Sequence, residues 1–74
     1  MENQEAKKRI LRRPHVEEMT GLRRSTIYAA IAAGTFPKPI HLGARAVGWL
    51  EGEIDQWLAE RVAQSRADIR QGQP

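Results

Sequence analysis

The chain has 74 residues, of which 41% are hydrophobic and 28% charged, and a formal net charge of +3. A chain of this size removes only about 60% of its unfolded surface from water, so we expect one small domain without a deep catalytic cavity. The absence of cysteine excludes disulfides, thiolate nucleophiles and cysteine-based zinc sites. No stretch approaches the roughly 20 apolar residues of a membrane span, and no secretory signal is evident, so a cytoplasmic protein is expected.

The charge is unevenly distributed along the chain. Residues 1–49 carry nine Lys or Arg and four Asp or Glu, a net +5, whereas residues 50–74 carry three and five, a net −2. Such asymmetry indicates a polyanionic partner. Nucleic acid is favoured over an anionic membrane because the sequence has no basic amphipathic helix with a broad apolar face. The alternative is that the positive charge serves solubility alone.

Three segments are predicted from the composition. Residues 1–8 are polar without periodicity and are expected to form a flexible basic arm. Residues 67–74 end in glycine and proline and are expected to form a flexible C-terminal tail. Residues 9–66 therefore have to supply the folded domain.

The first predicted helix covers residues 14–20. Pro14 suits the first turn of a helix because its missing N–H needs no partner there. Val16 and Met19 are three apart and share an inner face. Gly21 supplies the positive φ that ends such a helix.

The second predicted helix covers residues 24–33 and is ended by Gly34, with Pro37 preventing its extension. Its inner residues are Ile27, Ala30 and Ile31. The opposite face has no large aliphatic side chain; it comprises Arg24, Ser25, Tyr28, Ala29 and Ala32.

The remaining elements are a hairpin and a third helix. Residues 36–49 alternate in polarity on either side of a Gly-containing bend, which predicts a small β-hairpin with Arg45 near its tip. Gly52 is the predicted N-cap of a helix over about residues 53–65. Its predicted apolar face is spaced at i, i+3, i+4 and i+8 and comprises Ile54, Trp57, Leu58 and Val62.

Two short helices joined by a glycine turn are typical of a helix-turn-helix, whose second helix enters the major groove of DNA. A helix N-terminus attracts phosphate oxygens, and arginines placed there can bind them. This explains the two arginines at the start of helix 2. The outer face of this helix has no large aliphatic side chain, which suits contact with the polar, hydrated groove.

Much of the core resembles one family. The resemblance covers about Ile10 to Leu58, and residues 20–58, which carry it, read TGLRRSTIYAAIAAGTFPKPIHLGARAVGWLEGEIDQWL. It is similar to the AlpA family of prophage and mobile-element regulators, relatives of phage excisionases and, more distantly, of MerR-type domains. The resemblance implies a mainly α fold with a small β-hairpin wing, a winged helix-turn-helix that binds DNA and regulates transcription. Arg23 stands where the family commonly has a capping serine, and Ala29 where a basic side chain often follows the tyrosine.

The candidate DNA-binding residues each have a simpler alternative reading. Arg23 and Arg24 are expected to contact phosphates, but could form a merely solvated pair. Ser25 and Thr26 are expected at the DNA, but could only satisfy backbone groups. Tyr28 is expected to contact the groove but could instead pack on the hairpin. Lys38 is expected to contact a phosphate. Arg45 is expected to act from the wing but could instead pair with Glu51.

Other chemistry is not indicated by the sequence. Trp49 and Trp57 are in phase with aliphatic neighbours, which predicts core positions rather than stacking platforms for single strands. His15 and His41 are distant in sequence and predict no metal site. Acidic residues at the start of helix 3 are ordinary dipole partners, so no catalysis, cofactor or small-molecule ligand is expected.

Three functions remain open at this point. The leading hypothesis is a sequence-specific transcriptional regulator of a phage-derived or mobile element, with double-stranded DNA as its partner. A second is an excisionase-like architectural protein that bends DNA for a recombinase. A third is a protein-interaction module or inhibitor on the same fold. A monomer is expected in solution, with neighbouring copies meeting only on DNA.

Overall fold

The computed structural model describes the backbone of residues 9–72 and the side chains of residues 9–67. The predicted arm, residues 1–8, lies outside this range. In chain order the elements are β1 (Ile10–Leu11), α1 (Arg13–Thr20), α2 (Arg24–Ala33), β2 (Ile40–His41), β3 (Val47–Leu50) and α3 (Glu51–Gly72). They confirm a mainly α fold with a small β wing, a winged helix-turn-helix.

The turn between α1 and α2 is built around Gly21. This residue has φ 75°, and its N–H donates to the carbonyl oxygen of Glu17 at 2.8 Å. A glycine adopts this left-handed conformation without the steric cost that a Cβ would add. α2 has the predicted bounds and ends at Gly34 with φ 81°. Both predicted helix ends are therefore confirmed.

The sheet has three strands, one more than the predicted hairpin. β3 lies in the centre and pairs antiparallel with both β1 and β2. Leu11 of β1 lies opposite Trp49 of β3, so both side chains point to the same face. A two-residue strand has no periodicity of its own, and its pairing partner is distant in sequence. The prediction of only two strands was therefore incomplete.

One small core lies between the helices and the inner face of the sheet. Every element except β2 contributes a buried side chain, and Phe36 adds one from the segment after α2; the buried set is Leu11, Val16, Ile27, Phe36, Trp49 and Ile54. Half-buried hydrophobic residues, among them Met19, Ile31 and Trp57, pack around this set. The inner faces predicted for α1 and α2 are confirmed.

The third helix differs from its prediction at both ends. α3 begins at Glu51, directly after β3, so Gly52 lies inside the helix and the predicted N-cap was wrong. The helix continues to Gly72 rather than ending near residue 65. The predicted inner position of Val62 was also wrong, because 46% of this residue is exposed. Only the first two turns of α3 have a core to face, so periodicity beyond Leu58 carries no packing information.

Candidate nucleic-acid interface

The outward face of α2 is the centre of the candidate site. Ile27 is fully buried and Ala30 and Ile31 are half-buried, which fixes how the helix is rotated against the core. The rest of the helix surface is exposed and includes Arg24, Ser25, Thr26, Tyr28, Ala29 and Ala32. Apart from Tyr28, no large hydrophobic side chain lies on this face.

The start of α2 has no side-chain cap. Arg23 is the N-cap residue, with φ −86° and ψ 164°, and no side-chain hydrogen bond caps the first turn. Its carbonyl oxygen accepts the N–H of Ile27 at 2.9 Å. Because the first N–H groups of a helix carry partial positive charge, this end attracts anions. Arginine, unlike serine, has no side-chain oxygen to accept a hydrogen bond from these N–H groups, so they stay free of a side-chain cap.

Tyr28 is a partly exposed residue of the outer face. Its exposed fraction is 38%, and the guanidinium carbon of Arg24 lies 6.0 Å from the centre of its ring. At this distance the cation is attracted weakly by the ring. Tyr28 is not among the buried core residues, and its ring and the Arg24 guanidinium lie together at the surface.

Arg45 lies in the turn of the wing, which we define as the β2–β3 hairpin of residues 40–50. The backbone N–H groups of Leu42 and Gly43 both bond the carbonyl oxygen of Ala46, at 2.7 and 3.2 Å, and close this turn. Glu51, the carboxylate with which Arg45 could have paired, instead pairs with Arg9 at 3.2 Å. Within residues 9–67, Arg45 has no ion-pair partner.

Lys38 lies away from the start of α2. It is exposed between two prolines, and it borders a groove that is shared with Glu53, Gln56 and Trp57 of α3. A ten-residue helix is about 15 Å long, so Lys38 and Arg23 stand near opposite ends of α2. The structure thus brings five of the predicted residues together and places Lys38 and Arg45 on separate segments.

Two tryptophans fix the chain that leaves α2. Trp49 is fully buried and its indole N–H donates to the carbonyl oxygen of Pro37 at 2.9 Å. Trp57 is half-buried, and its ring packs edge to face on Phe36 with 4.8 Å between the ring centres. The guanidinium carbon of Arg61 lies 5.1 Å from the centre of the Trp57 ring. The predicted core position is confirmed for Trp49, whereas Trp57 packs at the edge of the core.

Arg12 is a further candidate contact that the sequence did not indicate. This residue is the N-cap of α1, with φ −85° and ψ 165°, nearly the same backbone conformation as Arg23, and likewise without a side-chain cap. Its neighbours are engaged: Arg9 pairs with Glu51, and Arg13 pairs with Glu17 at 2.8 Å. Only the Arg13–Glu17 pair has the i, i+4 spacing that a sequence reveals.

Two further findings apply to the part of the chain that the structure describes. No helix there has both the length and the apolar character needed to cross a membrane. No three side chains of the metal-ligating types His, Cys, Asp or Glu are grouped to hold an ion.

The match to known proteins covers the two helices, the sheet and the first half of α3. A family model described as Prophage CP4-57 regulatory protein (AlpA) matches residues 9–62. The chain is 48% identical over 59 residues to the DNA-binding transcriptional activator AlpA of Escherichia coli K12, covering 72% of this chain and 84% of that protein. It is 47% identical over 55 residues to the uncharacterized protein ORF88 of Enterobacteria phage P4, covering 74% of this chain and 62% of the phage protein. The family match extends over most of the chain, and the chain belongs to the AlpA family of prophage regulatory proteins.

Proposed function

We propose that this protein binds double-stranded DNA sequence-specifically through α2 and regulates transcription of a phage-derived or mobile element. The observation that carries the proposal is the exposed, uncapped start of α2. There, two arginines and an exposed tyrosine share a face that lacks large aliphatic side chains. Its relative in Escherichia coli is named as a DNA-binding transcriptional activator, which supports the regulatory half of the proposal.

The outer face of α2 suits the major groove. The groove is about 12 Å wide and admits one α-helix, and residues near the helix start meet base edges. The hydroxyl groups of Ser25, Thr26 and Tyr28 donate and accept hydrogen bonds, as base edges require. Ala29 and Ala32 are small, so the backbone can approach the DNA closely.

Phosphate contacts come from several elements. Arg23 and Arg24 stand at the start of α2, Arg12 stands at the start of α1, and Arg45 extends from the wing turn. Lys38 is a further proposed phosphate contact from the segment after α2. We expect about four to six of these contacts, those of the basic arm included, to be made at once, which corresponds to a log–log salt slope of roughly −4 to −5.

The remaining parts of the proposal follow from this mode of action. The protein acts in the cytoplasm, where its DNA lies, without cofactor and without catalysis. Regulation arises from occupancy of a short operator, so affinity and sequence preference are the properties that matter.

Selection from random duplexes, followed by sequencing, tests the proposal. We expect enrichment of one short motif, tighter binding to that duplex than to its separate strands, and the stated salt slope. No enrichment together with a slope near zero would overturn the proposal. A strong bend in circular-permutation gel shifts, with recombination responding and promoters silent, would instead indicate an architectural factor.

A further inference from the structure

The outer face of the sheet carries an apolar patch that the proposed DNA contacts do not use. We call it the outer sheet patch and define it by four residues grouped around Gly48: Ile10, Ile40, Leu42 and Leu50. Ile10 and Ile40 are each 37% exposed and Leu42 is 45% exposed, while Leu50 is half-buried. Because these apolar side chains are contiguous on an exposed sheet face, the patch is a candidate interaction surface.

Strand register brings these side chains together. Ile10 lies opposite Leu50, and Ile40 lies opposite Gly48, so all four positions belong to the face turned away from Trp49. A Cβ placed on Gly48 would lie 2.5 Å from Cγ2 of Ile10 and 3.1 Å from Cδ1 of Leu42. Side chains from both sides therefore close over the glycine and form one continuous surface.

The patch is matched best by another copy of itself. Within the described residues, the other exposed large hydrophobic side chains are Tyr28, on the face assigned to DNA, and Val62, which stands alone on α3. Among those residues, a second copy therefore offers no apolar counterpart of comparable size except the same patch. Contact between identical patches is two-fold symmetric and closes on itself.

We propose that the outer sheet patch pairs with the same patch of a second copy when two copies lie on one DNA molecule. This inference rests on the proposed function. The patch belongs to the wing, and so does the turn that carries Arg45, so a wing set on the DNA backbone presents the patch beside the duplex. Two-fold pairing of wings places the two copies on inverted half-sites.

The size of the patch explains why DNA is needed. Stable interfaces bury upwards of about 1,000 Å² in total, more than three partly exposed side chains and one half-buried side chain supply. DNA holds two copies close together and raises their effective concentration, so a small contact becomes populated. The free protein remains a monomer.

Cross-linking tests the pairing directly. The chain has no cysteine, so Ile40→Cys introduces a single thiol into the patch, and Val62→Cys provides a matched control of similar exposure on α3. Each variant is treated with a short bismaleimide under three conditions: alone, on a duplex of about 12 bp that carries one copy of the selected motif, and on one of about 40 bp that carries two inverted copies. Fluorescence anisotropy of the same samples measures binding.

We expect Ile40→Cys to form covalent dimers on the long duplex in several times the yield that it gives on the short duplex or without DNA. The yield should also be several times that of Val62→Cys on the long duplex. Equal yields for the two variants on the long duplex would overturn the pairing. Equal yields with and without DNA would overturn its dependence on DNA. Failure of the wild-type protein to bind either duplex would overturn the proposed function and DNA-dependent pairing together, which the anisotropy distinguishes from a failure of the patch alone.

A second variant guards against a cross-link that merely reports proximity. Leu42→Ser reduces the apolar surface, and Val62→Ser is its control. The gain in affinity per site between short and long duplex should fall roughly fivefold for Leu42→Ser, with short-duplex affinity unchanged. An unchanged gain for Leu42→Ser would contradict the proposal, since the patch would then contribute nothing.

Discussion

The indole N–H of Trp57 donates a 2.7 Å hydrogen bond to the backbone carbonyl oxygen of Thr35. This bond ties α3 to the segment that leaves α2, and the bond from Trp49 to Pro37 holds the same segment from the sheet. Two tryptophans that lie outside the helix-turn-helix therefore hold the segment that leaves α2.

The first prediction tests this tie. Trp57→Phe keeps an aromatic ring against Phe36 but removes the donor, so the free energy of unfolding should fall by about 1 kcal/mol. Urea denaturation measures the change. Gln56→Ala alters an adjacent exposed residue and should change stability by less than about 0.5 kcal/mol. Equal stability of Trp57→Phe and the wild type would show that the bond contributes nothing.

The second prediction concerns the close approach of strands at Gly48. Gly48→Ala forces a Cβ to within 2.5 Å of Cγ2 of Ile10 and 3.0 Å of the carbonyl oxygen of Leu11. Overpacking against backbone should lower the free energy of unfolding by about 1 to 3 kcal/mol. Thermal or urea unfolding measures the loss.

Two controls separate this clash from a general effect of replacing glycine. Gly43→Ala places its Cβ no closer than 4.0 Å to its nearest neighbour and should cost less. Adding Ile10→Ala to Gly48→Ala removes the contacting methyl group, so the double variant should lose less than the sum of the single losses. Strict additivity would contradict the assignment of the clash to Ile10.

The third prediction distinguishes free from paired arginines. Arg12→Ala and Arg23→Ala should each weaken binding to all duplexes about equally and reduce the magnitude of the log–log salt slope by about one. Arg13→Ala is the matched control, because its guanidinium is bound to Glu17 at 2.8 Å. Salt titrations of duplex affinity measure all three. A loss for Arg13→Ala as large as that for Arg23→Ala would contradict the distinction.

The sequence was most informative where local chemistry decides the structure. The bounds of α2 were predictable because Gly21, Gly34 and Pro37 limit the helix on both sides, and its rotation followed from the spacing of Ile27 and Ile31. The positions at the start of α2 were predictable for the same reason, since a helix of known phase places each side chain.

Features set by distant contacts were not predictable from the sequence. Two residues of β1 become a strand only because β3 supplies a partner. Val62 continues a helical apolar spacing, yet no core lies opposite it. Likewise, of several basic residues near the N-terminus, the three-dimensional fold decides that Arg9 pairs with Glu51 while Arg12 stands at a helix start without a cap.

The most direct test of the account compares Tyr28→Ala with Arg45→Ala on a library of single-base variants of the selected operator. Tyr28 faces outward from α2, so its removal should flatten preference at one or two positions and cost about 1 to 3 kcal/mol on the best site. Arg45, in the wing turn, should instead lower affinity across the library, with any change in specificity confined to A·T content beside the main site. The account is contradicted if Tyr28→Ala remains folded and leaves the preference at every operator position unchanged.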